Sequence, residues 1–571
     1  MKETIKENYK QYILLFLISL VLCASLFASG FFYAHDVEPH VARVTGTVSA
    51  LKDGQLIPLV APNFGNGFGF SWNLFYGPLF SYLSVIFGLI TANIFTGMKI
   101  VTFLTIFVSA ITMYNFILYA TKSKNLALLV GIIYICAPYR LSEVFTRFAA
   151  GEMMAFVFFP LVFHGLYSLF REDGKKHYLL AIGLSGIIVS HNISAILMVI
   201  LMFLYILVNI KEVLKKEIFI KLSINACFVI LLSAFYIFPF IQTSNATEYK
   251  LLQPTGIGTT QHVKNHTAFL SQLLIGEIRS GGYSTGLAEG INNEMSFAIG
   301  IFIIIPILFT PFIFKEIPIN KRKDYIFLIV IGIISIFLCS TYFPWGRMPS
   351  AFGIIQFPWR FLMFIVFTFS IVSAINIKLL IKDFNMMHVL FLLVIIFAYI
   401  RPMLLPIKSN WMTDYDKFYE VDVIKEDDAY TIGTANFDYF PVKASNNIEY
   451  VANRSQEPIV LNGDADILDV NKTGTKLDFW VNSSKANTII ELPYIYYVGY
   501  NIKLIDKNKN ITKLTGKESD NGFLAIEIPE INQGKIEIKY TGTLLCRIAY
   551  IISLVGLVVF IIYCIKQERR D

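Results

Sequence analysis

The feature that most constrains this chain is a run of roughly twenty apolar residues that recurs along its length, separated by short segments holding many of its lysines and arginines. Such a run satisfies its own backbone as a helix in lipid, so its repetition reads as a polytopic membrane protein. Of 571 residues, 55% are hydrophobic and only 16% are charged, against about 25% charged in a soluble domain. The net charge of +7 gathers between apolar runs, as in cytoplasmic loops; nucleic-acid binding is not expected. All six cysteines fall in or beside apolar segments without a CxxC pair, which argues against disulfide or zinc frameworks. The first apolar run, about Gln11 to Phe32, is too long for a signal-peptide core and reads as a retained anchor.

Spans are expected at 11–33, 98–119, 125–139, 152–170, 178–191, 192–210, 219–241, 296–314, 325–343, 359–377, 386–404 and 544–565. Charge decides the ambiguous stretch 74–90. If it does not cross, TKSKN, REDGKKH, KEVLKKE, FKEIPINKRKD, the Lys378–Lys382 segment and KQERRD all share the side of the N-terminus. That side is then cytoplasmic, and 74–90 is expected as an interfacial or re-entrant helix on the outer face. Basic segments at both ends of 178–210 favour a hairpin turning at Ser190-His191-Asn192.

The threading divides the chain into a multi-span domain, 1–404, a polar block at 405–541 and a final span with a cytoplasmic tail at 542–571. Four outer segments follow: 34–97, Arg140 to Glu152, about 242–295, and 405–541. In the last, KLDFWV, TIIELPYIYYVGYNIKLID, FLAIEIPE and KIEIKYTG alternate as strands do. A β-rich outer domain, a sandwich, is expected there, with a turn at Ser519-Asp-Asn-Gly.

The first exit from the bilayer, FFYAHDVEPHVARV, carries His35, Asp36, Glu38, His40 and Arg43. A charged cluster at such a place is often an interfacial anchor, but acidic residues do little as anchors. A carboxylate facing an outer cavity can act as general base on a hydroxyl. Asp36 is the first candidate and Glu38 the second. Arg43, Arg140, Arg147 and Arg360 are candidates for neutralising a phosphate, since guanidinium matches its geometry. Glu152 belongs to the second charged outer segment, and Gln356 and Arg360 to the mouth of the same cavity. His191 sits at a hairpin tip, where a lone histidine is more often structural. His35, His40 and His191 make a weak zinc set, and no metal or cofactor is expected. The glycines of NFGNGFGF lack a GK[ST] ending, which leaves a P-loop unsupported. Trp72, Phe75 and Tyr76 beside them suit an interfacial belt or stacking on sugars.

The motifs HDVEPHVARV, FYGPLFSYL, YRLSEVFTRFAAGE, SHN and QFPWRFL, in that order, resemble the bacterial 6-pyruvoyl-tetrahydropterin synthase-related membrane protein family. The tail, LPYIYYVGYNIKLID through GFLAIEIP to IEIKYTGTL, is similar to the YfhO family. Together the resemblances cover most of the chain, and no soluble pterin-synthase-like stretch accompanies them. They imply a GT-C-type membrane glycosyltransferase fold, with an acidic catalytic residue in the first outer loop and a polyprenyl-phosphate sugar donor used outside. The acidic role would fall on Asp36, with Glu38 as a departure from a single-Asp pattern. YfhO-like proteins decorate envelope polymers such as teichoic acids, which implies a cell-envelope polysaccharide or glycolipid acceptor. Two other classes fit twelve spans: a flippase or transporter of lipid-linked glycans, and a non-catalytic envelope assembly protein. Ionisable groups gathered at one face favour a one-sided site over a transport path.

Overall fold

The computed structural model describes residues 2–276, 278, 295–404, 411–420, 424 and 437–568. Parts of the expected outer segments 242–295 and 405–541 lie outside the described residues. Six described helices are long and apolar enough to cross a membrane: Ile94–Thr121, Ala150–Arg171, Lys216–Ser244, Pro358–Leu380, Met386–Met403 and Leu544–Glu568. A seventh is broken, with Lys124–Cys136 and Pro138–Arg147 meeting at 47°. The break falls at Ala137, whose extended ψ is what a following proline imposes.

Helix α1 (Lys2–Leu22) begins earlier than expected, because its polar first turns continue the helix, and it ends at Leu22 instead of reaching residue 33. A 3₁₀ turn at Ala24–Phe27 redirects the chain into a two-residue strand, β1 (Phe31–Phe32), which pairs with β2 (Trp411–Met412). The segment after it is no exposed loop. Helix α2 (Val37–Lys52) starts directly beyond Asp36 and buries most of its surface. Helix α3 (Leu79–Thr91) covers the ambiguous stretch; its 13 residues rise about 20 Å, short of a bilayer core of about 30 Å.

Helix α4 (Ile94–Thr121) is capped by Asn93, whose Oδ1 accepts from Thr96 N–H at 2.9 Å. Helices α5 (Lys124–Cys136) and α6 (Pro138–Ser142) are the two arms of the break, and a π-helical turn, Glu143–Arg147, completes the second arm. Helix α7 (Ala150–Arg171) follows, then α8 (Leu179–Ile188) and α9 (Asn192–Val208). Helix α8 runs back along α7, with Gly165 against Leu180 and Gly186 against Phe158. The chain turns at 189–191, and α9 returns until Tyr205 packs on Phe163 and Phe170 of α7. These contacts describe the expected hairpin. The expected span 296–314 is instead interrupted: Gly300 takes φ +107°, and two short helices, Ile301–Leu308 and Thr310–Ile313, are divided at Phe309.

Strands β3 (Ile459–Asn462), β4 (Ala465–Thr473), β5 (Lys476–Ser483), β6 (Thr488–Ile495), β7 (Tyr500–Asp506), β8 (Ile511–Leu514), β9 (Lys517–Glu518), β10 (Phe523–Ile528) and β11 (Ile531–Tyr540) form two sheets, ordered β3-β6-β10-β9 and β4-β5-β11-β7-β8. Alternating residues such as Phe479, Leu492, Leu504, Ile526 and Ile536 point between the sheets and make a separate core, which is a β-sandwich. The Ser519–Gly522 turn joins β9 (Lys517–Glu518) to β10 (Phe523–Ile528), with Gly522 at φ +79°.

The aromatic loop 63–80 departs from expectation. Phe64, Phe68, Phe70, Trp72 and Phe75 are buried, not arrayed as an interfacial belt. They wedge between the helices and the sandwich: Phe68 packs on Phe523, Phe70 on Phe440, and Phe75 stacks on Tyr439. The amide of Ile495 donates to the Phe68 carbonyl at 3.0 Å. Burial won because the sandwich docks directly on the loop and offers aromatic partners a lone sequence window does not reveal.

The helices have two distinct ends. One carries α2, the aromatic wedge, the hairpin tip and the sandwich. At the other, Lys124 donates to the Glu7 carbonyl at 2.7 Å, and Lys176 pairs with Glu568 near the C-terminus. The first turn of α7 lies at the sandwich end and its last turn at the basic end, about 33 Å away.

Candidate functional site

Three chain breaks converge at the sandwich end. The π-turn Glu143–Arg147 closes on Phe148, a non-glycine residue at φ +55°. Its carbonyls then take up the first exit strand: the amide of His35 donates to Thr146 O at 3.0 Å and that of Asp36 to Arg147 O at 2.8 Å. Gly151 opens α7 against the hairpin tip, where an added Cβ would stand 2.7 Å from Ser190 O and 2.6 Å from the Tyr76 hydroxyl. Only a residue without a side chain lets α7, the hairpin and the aromatic loop meet there.

A buried ionic chain occupies the junction. Arg147 Nη1 donates to Glu143 Oε1 at 2.7 Å and lies 3.4 Å from Glu152 Oε1. Arg360 Nε reaches the same Glu152 oxygen at 2.9 Å, while Tyr139 donates to the other at 3.1 Å. Arg360 Nη1 also donates to Ile355 O and Gln356 Oε1. Gln356 is held at φ +58° and ψ −54°, a backbone that non-glycine residues avoid and that clusters at functional sites. Phe357 and Trp359 stack 4.5 Å apart, with both guanidiniums against the Phe357 ring. Glu143, Glu152, Arg147 and Arg360 all have side chains no more than 8% exposed. Two carboxylates and two guanidiniums balance in charge, which is what makes such burial tolerable.

Asp36 stands at the edge of this cluster, half-buried, within electrostatic range of Arg147 and Tyr76. His191 feels Glu152, Arg147 and Arg360. Its Nδ1 caps α9 by accepting from Ser194 N–H at 3.2 Å, which leaves Nε2 to carry the ring proton. Arg147, Glu152, Gln356 and Arg360 are thus brought into contact, with Asp36 and His191 beside them.

The other candidates are placed differently. Glu38 turns toward Lys417, 3.2 Å away, and His35 is exposed. Arg43 does not face an incoming phosphate. It is buried, donating to Tyr76 O at 2.9 Å, Gly77 O at 2.7 Å and Asn73 Oδ1 at 3.3 Å, and so braces the aromatic loop from within. His40 sits among the rings of Tyr76, Phe80 and Phe148. Burial, then the charges of Arg43 and His191, push its pKa down to about 3, so it is neutral at physiological pH. Arg140 is fully buried and donates to Thr105 O at 3.1 Å, while its Nε and Nη1 find no acceptor among the described residues. Glu143 Oε2 is likewise without a donor. Incompletely satisfied buried charges of this kind call for an explanation, often a functional one.

Sequence reasoning missed Glu143 and Tyr139. The i,i+4 spacing of Glu143 and Arg147 was the available signal; Tyr139 gives none, since Glu152 reaches it only through the fold. Among the described residues no group of three or more His, Cys, Asp or Glu side chains is arranged to hold a metal ion.

Residues 74–404, which include the π-turn, α7, the hairpin and Arg360, match the family described as "6-pyruvoyl-tetrahydropterin synthase related domain; membrane protein". The chain belongs to this family. A relative from Lactococcus lactis subsp. cremoris (strain MG1363), named "Uncharacterized protein", is 26% identical over 98% of this chain and 96% of its own length. The family match begins beyond Asp36 and ends before the sandwich, so it covers the ionic chain and not the exit strand that completes the site.

Proposed function

We propose that this family member is a GT-C-type membrane glycosyltransferase that moves a sugar from a polyprenyl-phosphate donor to a cell-envelope polymer or glycolipid. The observation that carries the reading is the half-buried Asp36, pinned by main-chain bonds beside the buried Arg147–Glu152–Arg360 chain. Asp36 takes the proton from an acceptor hydroxyl, whose oxygen attacks the anomeric carbon with inversion. The bond from that carbon to the phosphate oxygen breaks, and the lipid phosphate departs with the electron pair. Arg147 and Arg360 stabilise the departing charge, a contribution often the largest in such sites. Glu152 holds both guanidiniums in place, and Gln356 fixes Arg360 from the other side.

The basic segments cluster at the opposite end of the helices, and the positive-inside tendency makes that end cytoplasmic. Twelve crossings, cytoplasmic termini and an extracytoplasmic sandwich in the cell membrane complete the proposed topology, with the sandwich guiding the acceptor. A second reading, a flippase of lipid-linked glycans, is favoured by the bent α5–α6 pair, since broken helices with buried charge also mark transport sites.

Labelled sugar offered on polyprenyl phosphates to the purified protein in liposomes separates the two. Transfer to an acceptor supports the enzyme. Labelled lipid appearing on the opposite leaflet without transfer supports the flippase and overturns the enzyme.

A further inference from the structure

Because α1 stops at Leu22 and the chain swings away to β1, the first turns of α4 are left uncovered. A groove of about 680 Å³ opens there, walled by Leu20, Leu26, Phe27, Phe95 and Phe103, within the size range of small-ligand sites, about 300–1,000 Å³. Phe16 of α1 meets Phe103 and Phe107 of α4 at centroid distances of 5.6 and 5.4 Å, which holds the two helices together beside the groove. Among the described residues one charged side chain lines it, Lys99, whose ammonium donates to the Ala28 carbonyl at 2.7 Å. An ammonium has three donors, and the described residues offer it no carboxylate. Gly30 lines the groove and Asp36 is six residues further on, at most about 20 Å of chain.

We propose that this groove holds the hydrocarbon chain of a single-chain lipid phosphate, with the phosphate on Lys99, and so presents that lipid to the Asp36 site. The inference rests on the reading of the donor as a lipid phosphate. Its apolar walls bury the chain and exclude a free anion as sole occupant. The single cation selects a phosphate over an uncharged lipid alcohol. A groove of this volume between two helices admits one chain.

The test uses full-length protein in phosphatidylcholine nanodiscs with a diazirine-bearing polyprenyl monophosphate that carries no sugar. Expected crosslinks fall in 20–30 and 93–103. Lys99→Gln lowers labelling about tenfold, equivalent to about 1.4 kcal/mol, and Ile100→Trp, which fills the groove, abolishes it. Unlabelled polyprenyl phosphate competes and polyprenol does not. Labelling spread over the outer faces of the helices, unchanged by both variants, or displaced equally by phosphatidylglycerol would overturn the proposal and make the groove a seat for ordinary bilayer lipid. Failure here is separable from failure of the enzyme reading. Asp36-dependent transfer with labelling elsewhere overturns the groove alone, and groove labelling by a protein that transfers from no donor overturns the enzyme alone.

Discussion

The two ends of the helical domain each hold an arginine–carboxylate cluster, and they are built on opposite plans. At the basic end, Arg171 grips Asp324 with Nε and Nη2 at 2.8 and 2.7 Å. Tyr205 donates to the same carboxylate and Asn209 accepts the remaining reach of the guanidinium. One arginine meets one acid, and the bonds close on themselves. At the sandwich end, Arg147 and Arg360 share Glu152, while among the described residues Glu143 keeps one oxygen unbonded and Arg140 keeps two nitrogens, Nε and Nη1, unbonded. A closed pair locks helices α7, α9 and Ile319–Cys339 together; an open one leaves bonding capacity unused.

Breaking the two clusters therefore has different consequences. The largest effect is expected from Glu152→Gln, which takes the carboxylate from Arg360 and leaves Arg147 with Glu143 alone. Turnover should fall by about a hundredfold or more, with a stability loss of the order of 3 kcal/mol for leaving the buried Arg360 without its carboxylate. Sugar transfer and thermal unfolding, measured on the same preparation, read the two losses. Arg171→Met at the other end is expected to cost about 1–3 kcal/mol while the folded fraction turns over at the wild-type rate. Equal loss of turnover in both variants would erase the distinction.

A smaller effect sharpens the account of the site's surroundings. His40 binds its proton near pH 6.5 in the unfolded chain and near 3 in the folded one. Between those values the unfolded state holds more protons, so stability is fully present above about 6.5 and is lost as the pH falls through the window. Between pH 7 and 5 the loss is about 2 kcal/mol at most. His40→Gln should unfold with a shallower acid dependence than wild type; parallel curves would mean that His40 already shares the solvent's pH.

Much of this was legible in the chain. The runs at 98–119, 152–170, 219–241, 359–377, 386–404 and 544–565 declare themselves by length, and each falls on a helix able to cross a membrane. The sandwich strands Lys476–Ser483, Thr488–Ile495, Tyr500–Asp506, Phe523–Ile528 and Ile531–Tyr540 show in their alternation, whereas the more exposed β4 and β8 have little burial to pattern them. The site was half legible. Arg147 and Glu152 stand out as charges between apolar runs, but the partner that matters most to Glu152, Arg360, lies 208 residues away. Arg43 looks no different from Arg147 in sequence. Only the fold turns the first toward the carbonyls of the aromatic loop and the second toward two carboxylates. The segment Arg140–Glu152 read as a charged outer segment; its charges are buried because the fold adds Tyr139 and Arg360 to the local Glu143–Arg147 pair.

The most direct measurement compares Asp36→Asn with Glu38→Gln in sugar transfer from a polyprenyl-phosphate donor, each protein folded as wild type. Asp36 is bonded through its amide to Arg147 O and Glu38 faces Lys417, so the expected result is loss of transfer by about a hundredfold or more in Asp36→Asn and near-normal transfer in Glu38→Gln. Full transfer by Asp36→Asn, or its loss in Glu38→Gln alone, would contradict the assignment of the base and of the site around it.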